Sequence, residues 1–170
     1  TRHRWPRSTS SPGPATSLQL TSGGGQSTTV ATSFAAPLVV TAYDAQGNVV
    51  PGVLVTFAPP STGATASLDA VTVVTDASGQ ATVQAAAGTR AGSYSVGAHL
   101  SNPAIAVAIG LTNTPGAPAS IAAVDGASPQ AAQTGTPFAE PLEVVVLDAY
   151  GNPVPNTTIT FTAPQSGATA

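Results

Sequence analysis

The sequence predicts an all-β protein built of antiparallel sandwiches in tandem, the second of them cut off about halfway. Three observations predict it. Pro14 to Ala66 can be laid on Pro118 to Ala170 without a gap at a constant offset of 104, so a domain-sized unit repeats. The 170 residues include 17 Gly and 16 Pro among abundant Thr, Ser, Ala and Val, as expected of short strands punctuated by turns. Apolar residues alternate with period two in several short runs, and no long window carries the 3.6-residue spacing of a capped helix.

The strands follow in order. An opening strand is expected near Leu18 to Thr21. Leu38, Val40 and Ala42 then alternate with Val39, Thr41 and Tyr43 up to the break at Asp44 to Asn48, and Val53, Val55 and Phe57 alternate beyond it. These two runs read as antiparallel strands joined by a tight connection. Val71, Val73 and Thr75 form a third face, Asp76 to Gln80 turns the chain, and Ala81, Val83 and Ala85 form a fourth. Tyr94, Val96, Ala98 and Leu100 read as inward, as do Ile105, Val107, Ile109 and Leu111. About seven short strands at turn spacings of roughly 8 to 12 residues make a sandwich. The stretch from Thr112 to Pro118 reads as a semi-rigid connector stiffened by proline. The second copy supplies strands near Ile121 to Val124, Leu142 to Asp148 and Thr157 to Thr162.

The expected boundaries are therefore a disordered tail over 1–13, a first domain over 14–113, a linker over 114–118, and the N-terminal half of a second domain over 119–170. In that half, Val124, Phe138, Leu142, Val144, Val146, Ile159 and Phe161 lack the strands that would cover them. An uncovered apolar face with unpaired edges pairs with another chain or stays mobile.

Charge excludes whole classes of partner. Arg2, Arg4 and Arg7 sit in the first seven residues, Lys is absent, and from Ser8 onward one arginine stands against seven carboxylates. Such a body cannot exchange basic side chains for the counterions of a nucleic acid, and an anionic membrane is disfavoured likewise. No apolar run reaches the ~20 residues of a bilayer-spanning helix. Without Cys there is no disulfide framework and no thiolate metal site. The opening segment with Arg2, His3, Arg4, Trp5 and Arg7 would suit an anion-binding arm, but terminal residues without periodic pattern are more simply a tail.

No residue set carries catalysis, a cofactor or a metal. Asp44 and Asp148 head identical turns. Calcium takes six to eight oxygen ligands, and these turns lack the further oxygens, so an aspartate capping its own turn explains the same letters. Asp76 with Gly79 reads the same way. His99 has no second histidine except in the tail, and zinc would lack ligands. Glu140 and Glu143 fall outside the inward register as a solvated face rather than a glycosidase pair. Serines and threonines have no base within motif reach. Gly23 to Gly25 precedes no helix and lacks the lysine of a phosphate loop. Asn156-Thr157-Thr158 is formally a glycosylation sequon.

The repeated blocks carry a resemblance. PLVVTAYDAQGNVVPGVLVTF with its second copy PLEVVVLDAYGNPVPNTTITF, then TDASGQATVQ (Thr75 to Gln84) and AGSYSVGA (Ala91 to Ala98), are similar in order and spacing to the bacterial immunoglobulin-like repeats (group 1) of the intimin and invasin adhesins. The first unit is covered end to end and the second over its first half. The family's Gly after Val-Pro is Gly52 in one copy and Asn156 in the other, a residue that tolerates left-handed backbone. The resemblance implies an immunoglobulin-like sandwich used in tandem as a non-catalytic stalk at the bacterial surface or in a secreted protein. Partners would be neighbouring repeats of the same chain and a host or cell-surface receptor reached through domains outside this sequence. It also places Tyr94 as a tyrosine corner, bonding back to nearby backbone.

Two alternatives stand beside the spacer. Loops Ala58 to Ala64 and Gly88 to Gly92 would contact a receptor or glycan in a binding module, although they are poor in the Trp, Tyr and Arg that dominate binding hot spots. The chain would otherwise be an accessory domain of a large secreted hydrolase.

Overall fold

The computed structural model describes residues 11–101 and 104–165, so the residues 1–10 of the expected tail lie outside the described part. The chain divides into two compact units between Thr114 and Pro115. Among the described residues no helix is long and apolar enough to cross a membrane.

Among the described residues the first unit contains ten strands: β1 (Ser17–Ser22), β2 (Gln26–Thr29), β3 (Leu38–Tyr43), β4 (Leu54–Ala58), β5 (Ala66–Leu68), β6 (Thr72–Val74), β7 (Gln80–Val83), β8 (Ala85–Ala87), β9 (Gly92–His99) and β10 (Ala106–Thr114). One sheet has the order β1-β3-β7 and the facing sheet β2-β10-β9-β4-β6, with β5-β8 as a small third ribbon. Period-two alternation aims Leu38, Val40, Ala42, Ala81 and Val83 from one sheet at Val55, Phe57, Val96, Ala98, Ile109 and Leu111 from the other, all of them buried. The architecture is an immunoglobulin-like antiparallel sandwich, with β2 on β10 its one parallel pairing among the described strands.

Three expectations about the strands need correction. The runs on either side of Asp44 to Asn48 are not hairpin partners: β3 and β4 lie in different sheets. The Asp44 turn folds the chain back only as far as Val49 and Val50, where the Val50 amide bonds to Ala42 O at 2.9 Å. Pro51-Gly52, with Gly52 at φ 75°, then sends it across to the other sheet. The Asp76 turn does the same, delivering the chain from β6 to β7 in the opposite sheet. The face expected of Val71, Val73 and Thr75 is only partly inward: Thr75 is buried, whereas Val71 precedes the edge strand β6 and is 59% exposed. Finally, β10 runs through Thr114, so Thr112 to Thr114 of the expected connector are strand.

The second unit contains β11 (Ser120–Ala123) and β12 (Val144–Leu147), paired antiparallel. The ungapped repeat breaks here. Ser17 pairs with Tyr43 in β1, whereas Ser120 pairs with Leu147 in β11, so the first strands correspond at an offset of 103. The offset of 104 resumes at Gln26 and Gln130, which make the same reciprocal bonds to the backbone of Ala36 and of Glu140. The strand expected over Thr157 to Thr162 is absent. In the first unit that segment is β4, held between β6 and β9, and those partners have no counterparts in the second stretch of sequence. Phe138, Leu142 and Phe161 are correspondingly 42%, 55% and 57% exposed, while Phe34, Leu38 and Phe57 are buried.

Candidate functional site

Two polar constructions stand out against the apolar core, and each begins with a turn residue. Asp44 heads the turn after β3. Its Oδ1 accepts the amides of Gln46 (2.9 Å) and Asn48 (2.8 Å), and the Asn48 side-chain amide lies 3.0 Å from Oδ2. The fourth donor comes from far away in sequence: the amide of Gly13, ahead of β1, reaches Oδ2 at 3.0 Å. Asp148 repeats this after β12, taking the amides of Tyr150 and Asn152, the Asn152 side chain at 2.9 Å, and the amide of Gly116 at 2.8 Å. Both aspartates are buried.

These donors decide the chemistry of the site. The Asn48 side chain foremost, with the amides around it, brings Asp44 from an ordinary 3.8 down to about 2. Burial by itself would raise Asp148, but Asn152 and the amides of Gly116 and Tyr150 outweigh it and hold this carboxyl at about 2 as well. Lone pairs committed to N–H donors are not offered to a cation, so both carboxylates act as clasps on backbone. Among the described residues no group of three His, Cys, Asp or Glu side chains gathers to hold a metal. Asp76 repeats the local part of the motif, with the Ser78 and Gln80 amides at 2.8 and 3.0 Å.

The second construction is centred on Asn113, which is 1% exposed. Its Oδ1 accepts the Tyr94 hydroxyl at 3.0 Å, and its Nδ2 donates to Thr65 O (2.9 Å) and Arg90 O (3.1 Å). Tyr94 therefore reaches backbone four residues upstream, as a tyrosine corner should, but through the amide of Asn113 and not directly. Burial raises the Tyr94 pKa, and the bond to Asn113 offsets part of that. Sequence reading missed Asn113 because it lay in a presumed connector. Its inward register after Ile109 and Leu111 was the available signal.

Thr65 O also accepts the Gly88 amide at 2.8 Å. The loops Ala58 to Ala64 and Gly88 to Gly92 are thus tied together at one end of the sandwich, where Arg90 is exposed. The remaining candidates stay apart. His99 points away from the core, with Nδ1 3.0 Å from Leu100 O. Glu140 and Glu143 border an open depression with Asp125 on the second unit. Gly23 to Gly25 leads into β2, where Gln26 bonds back to Gly23 O at 2.8 Å. Asn156 is exposed at φ 58°, the left-handed conformation Gly52 adopts in the other copy.

Known proteins can now be set beside this geometry. The family model for the bacterial Ig-like domain (group 1) matches residues 32–112. Similar solved structures include FdeC, an adhesin of Escherichia coli (23% identity, TM-score 0.49, covering 82% of this chain and 42% of that one). InvD of Yersinia pseudotuberculosis is 20% identical with TM-score 0.49, over 85% of this chain and 45% of that one. Domains 4-9 of the surface layer protein SbsC are 20% identical with TM-score 0.46, over 91% of this chain and 24% of that one. The chain thus spans less than half the length of each of these structures. No curated protein sequence matches it significantly. The bacterial Ig-like domain model thus matches the greater part of the first unit, a little under half of the chain.

Proposed function

We propose that this chain is a non-catalytic spacer segment of a bacterial surface or secreted adhesin, one complete immunoglobulin-like repeat (14–113) joined through 114–118 to the first half of another (119–170). The observation that supports this reading is the duplicated clasp: in both copies a buried aspartate grips the segment that leads into the first strand. A repeat entered through a bonded segment passes tension into its sheet instead of spending it on slack. Neighbouring repeats of the same chain are the partners this reading requires, and nucleic acid and membrane are not among them.

A receptor- or carbohydrate-binding module is the second reading, favoured by the tied loops Ala58 to Ala64 and Gly88 to Gly92. The test combines two measurements on the full chain. Stretched between handle domains, the first unit should unfold in one cooperative event that releases roughly 350 Å of contour, about 3.3–3.6 Å per residue. Host-cell lysates and glycan arrays should show no saturable binding. Stepwise yielding at low force, or saturable binding abolished by substitutions in the two loops, would replace the spacer with the binding module.

A further inference from the structure

Outside the first seven residues the chain has a single basic side chain capable of directing an arginine-specific endoprotease, because Lys is absent and the other arginines stand at positions 2, 4 and 7. Cutting at those three removes at most seven residues. Cutting after Arg90 severs the first unit between β8 and β9. The bond that follows is Arg90–Ala91, with no proline after the arginine to block hydrolysis.

The side chain and the peptide of Arg90 are presented differently. The residue is exposed in the loop at the end of the sandwich, yet its carbonyl oxygen accepts Asn113 Nδ2 at 3.1 Å. A serine protease of this specificity needs that same oxygen in its oxyanion hole, with the flanking residues extended in its cleft. The loop is pinned at two further points, Gly88 N on Thr65 O (2.8 Å) and Ala31 N on Gly88 O (3.1 Å). Asn113 is itself oriented by the Tyr94 hydroxyl.

We propose that Arg90–Ala91 is a latent processing site for an endoprotease of arginine specificity, held shut by the side-chain amide of Asn113. Hydrolysis breaks the C–N bond of that peptide; water supplies the hydroxyl that leaves Arg90 with a carboxylate and the proton that leaves Ala91 with an amine. The arginine is displayed while its carbonyl is withheld, so cleavage waits on local opening of 88–92 and not on finding the side chain. The site is independent of whether the chain is a spacer or a binding module.

The experiment is limited digestion of the full chain with trypsin under native conditions, following by mass the fragments that end at Arg90 and begin at Ala91. The intact protein should be cut there far more slowly than a free peptide spanning 86–95. Asn113→Ala should accelerate this cut about tenfold or more, and Tyr94→Phe a few-fold, on the scale of one or two lost hydrogen bonds. Arg90→Gln should abolish it. Val83→Ala, a core change remote from the loop, serves as the comparison at matched unfolding midpoint. Cleavage of the native chain as fast as the free peptide would overturn the proposal. Equal acceleration by Val83→Ala and Asn113→Ala would do so as well, since cutting would then follow global unfolding.

Discussion

The amide of Gly13 and the Oδ2 of Asp44 meet at 3.0 Å across 31 positions of sequence, and Gly116 meets Asp148 at 2.8 Å across 32. The difference of one is the register change between the two copies. The clasp was kept while the letters around it slipped, which points to the bond, more than to the neighbouring residues, as what fixes the approach to each first strand.

The carboxylates that make these bonds render stability dependent on acid in a defined window. Both carboxyls sit at about 2 in the folded chain against 3.8 ordinarily, so between those values the unfolded chain binds more protons and stability rises with pH. Their contribution is complete above the ordinary value and is lost as pH falls toward 2. Carboxyl-carbon NMR titration should place both aspartates near 2, and the urea midpoint of the first unit should fall from pH 5 to pH 2. Asp44→Asn should flatten that fall. A midpoint equally steep in the variant would mean that other carboxylates carry it.

The relay through Asn113 predicts non-additive losses. Tyr94→Phe removes one hydroxyl bond and should cost about 1 kcal/mol, whereas Asn113→Ala removes the hydroxyl's acceptor and the donations to Thr65 O and Arg90 O together, for about 2–4 kcal/mol. The double variant should cost less than the two added, since the hydroxyl bond can be lost only once. Urea unfolding of the four proteins checks this, and strict additivity would mean the hydroxyl does not act through the amide.

Backbone conformation yields a third prediction. Gly52 and Asn156 hold the same left-handed position in the two copies, at φ 75° and 58°, and Ala31 stands at φ 60° without being a glycine or asparagine. A left-handed alanine costs about 1–2 kcal/mol; glycine relieves that strain, although the greater entropy of its unfolded chain cancels part of the gain. Ala31→Gly should therefore stabilise the first unit by roughly 0.5–1 kcal/mol. Gly52→Asn should cost visibly less than Gly52→Ala in the same thermal unfolding series.

The sequence disclosed strand phase better than strand partnership. Leu38, Val40, Ala42, Val96, Ala98, Ile109 and Leu111 all face the core as their alternation implied, because burial of one face is a local pattern. Which strand lies beside which is not local: the same Asp-Gly-Asn letters that mark a hairpin serve here to cross between sheets, and the outcome is set by Pro51-Gly52 downstream. Strand β2, Gln-Ser-Thr-Thr, escaped notice because it carries no apolar alternation, and β5, Ala-Ser-Leu, because three residues are too few for a period to show. The clasps were half visible, as capped turns. Their distant glycines were not, since an amide donor leaves no mark in the letters.

The two copies also supply an internal control for what covers a core. Phe57 and Phe161 are equivalent by repeat, yet one is 1% and the other 57% exposed. Phe57 lies on β4 between β6 and β9, so Phe57→Ala opens a cavity in a packed interior and should cost about 3–5 kcal/mol. The aromatic ring of Phe161 already meets water over most of its surface, and its removal deletes little buried area, so Phe161→Ala should change unfolding by no more than about 0.5 kcal/mol. Chemical denaturation followed by tryptophan-independent far-UV signal reads both. A large loss from Phe161→Ala, accompanied by slow amide exchange around Val146, would mean that the second unit buries this face in solution and does so without the strands that bury it in the first.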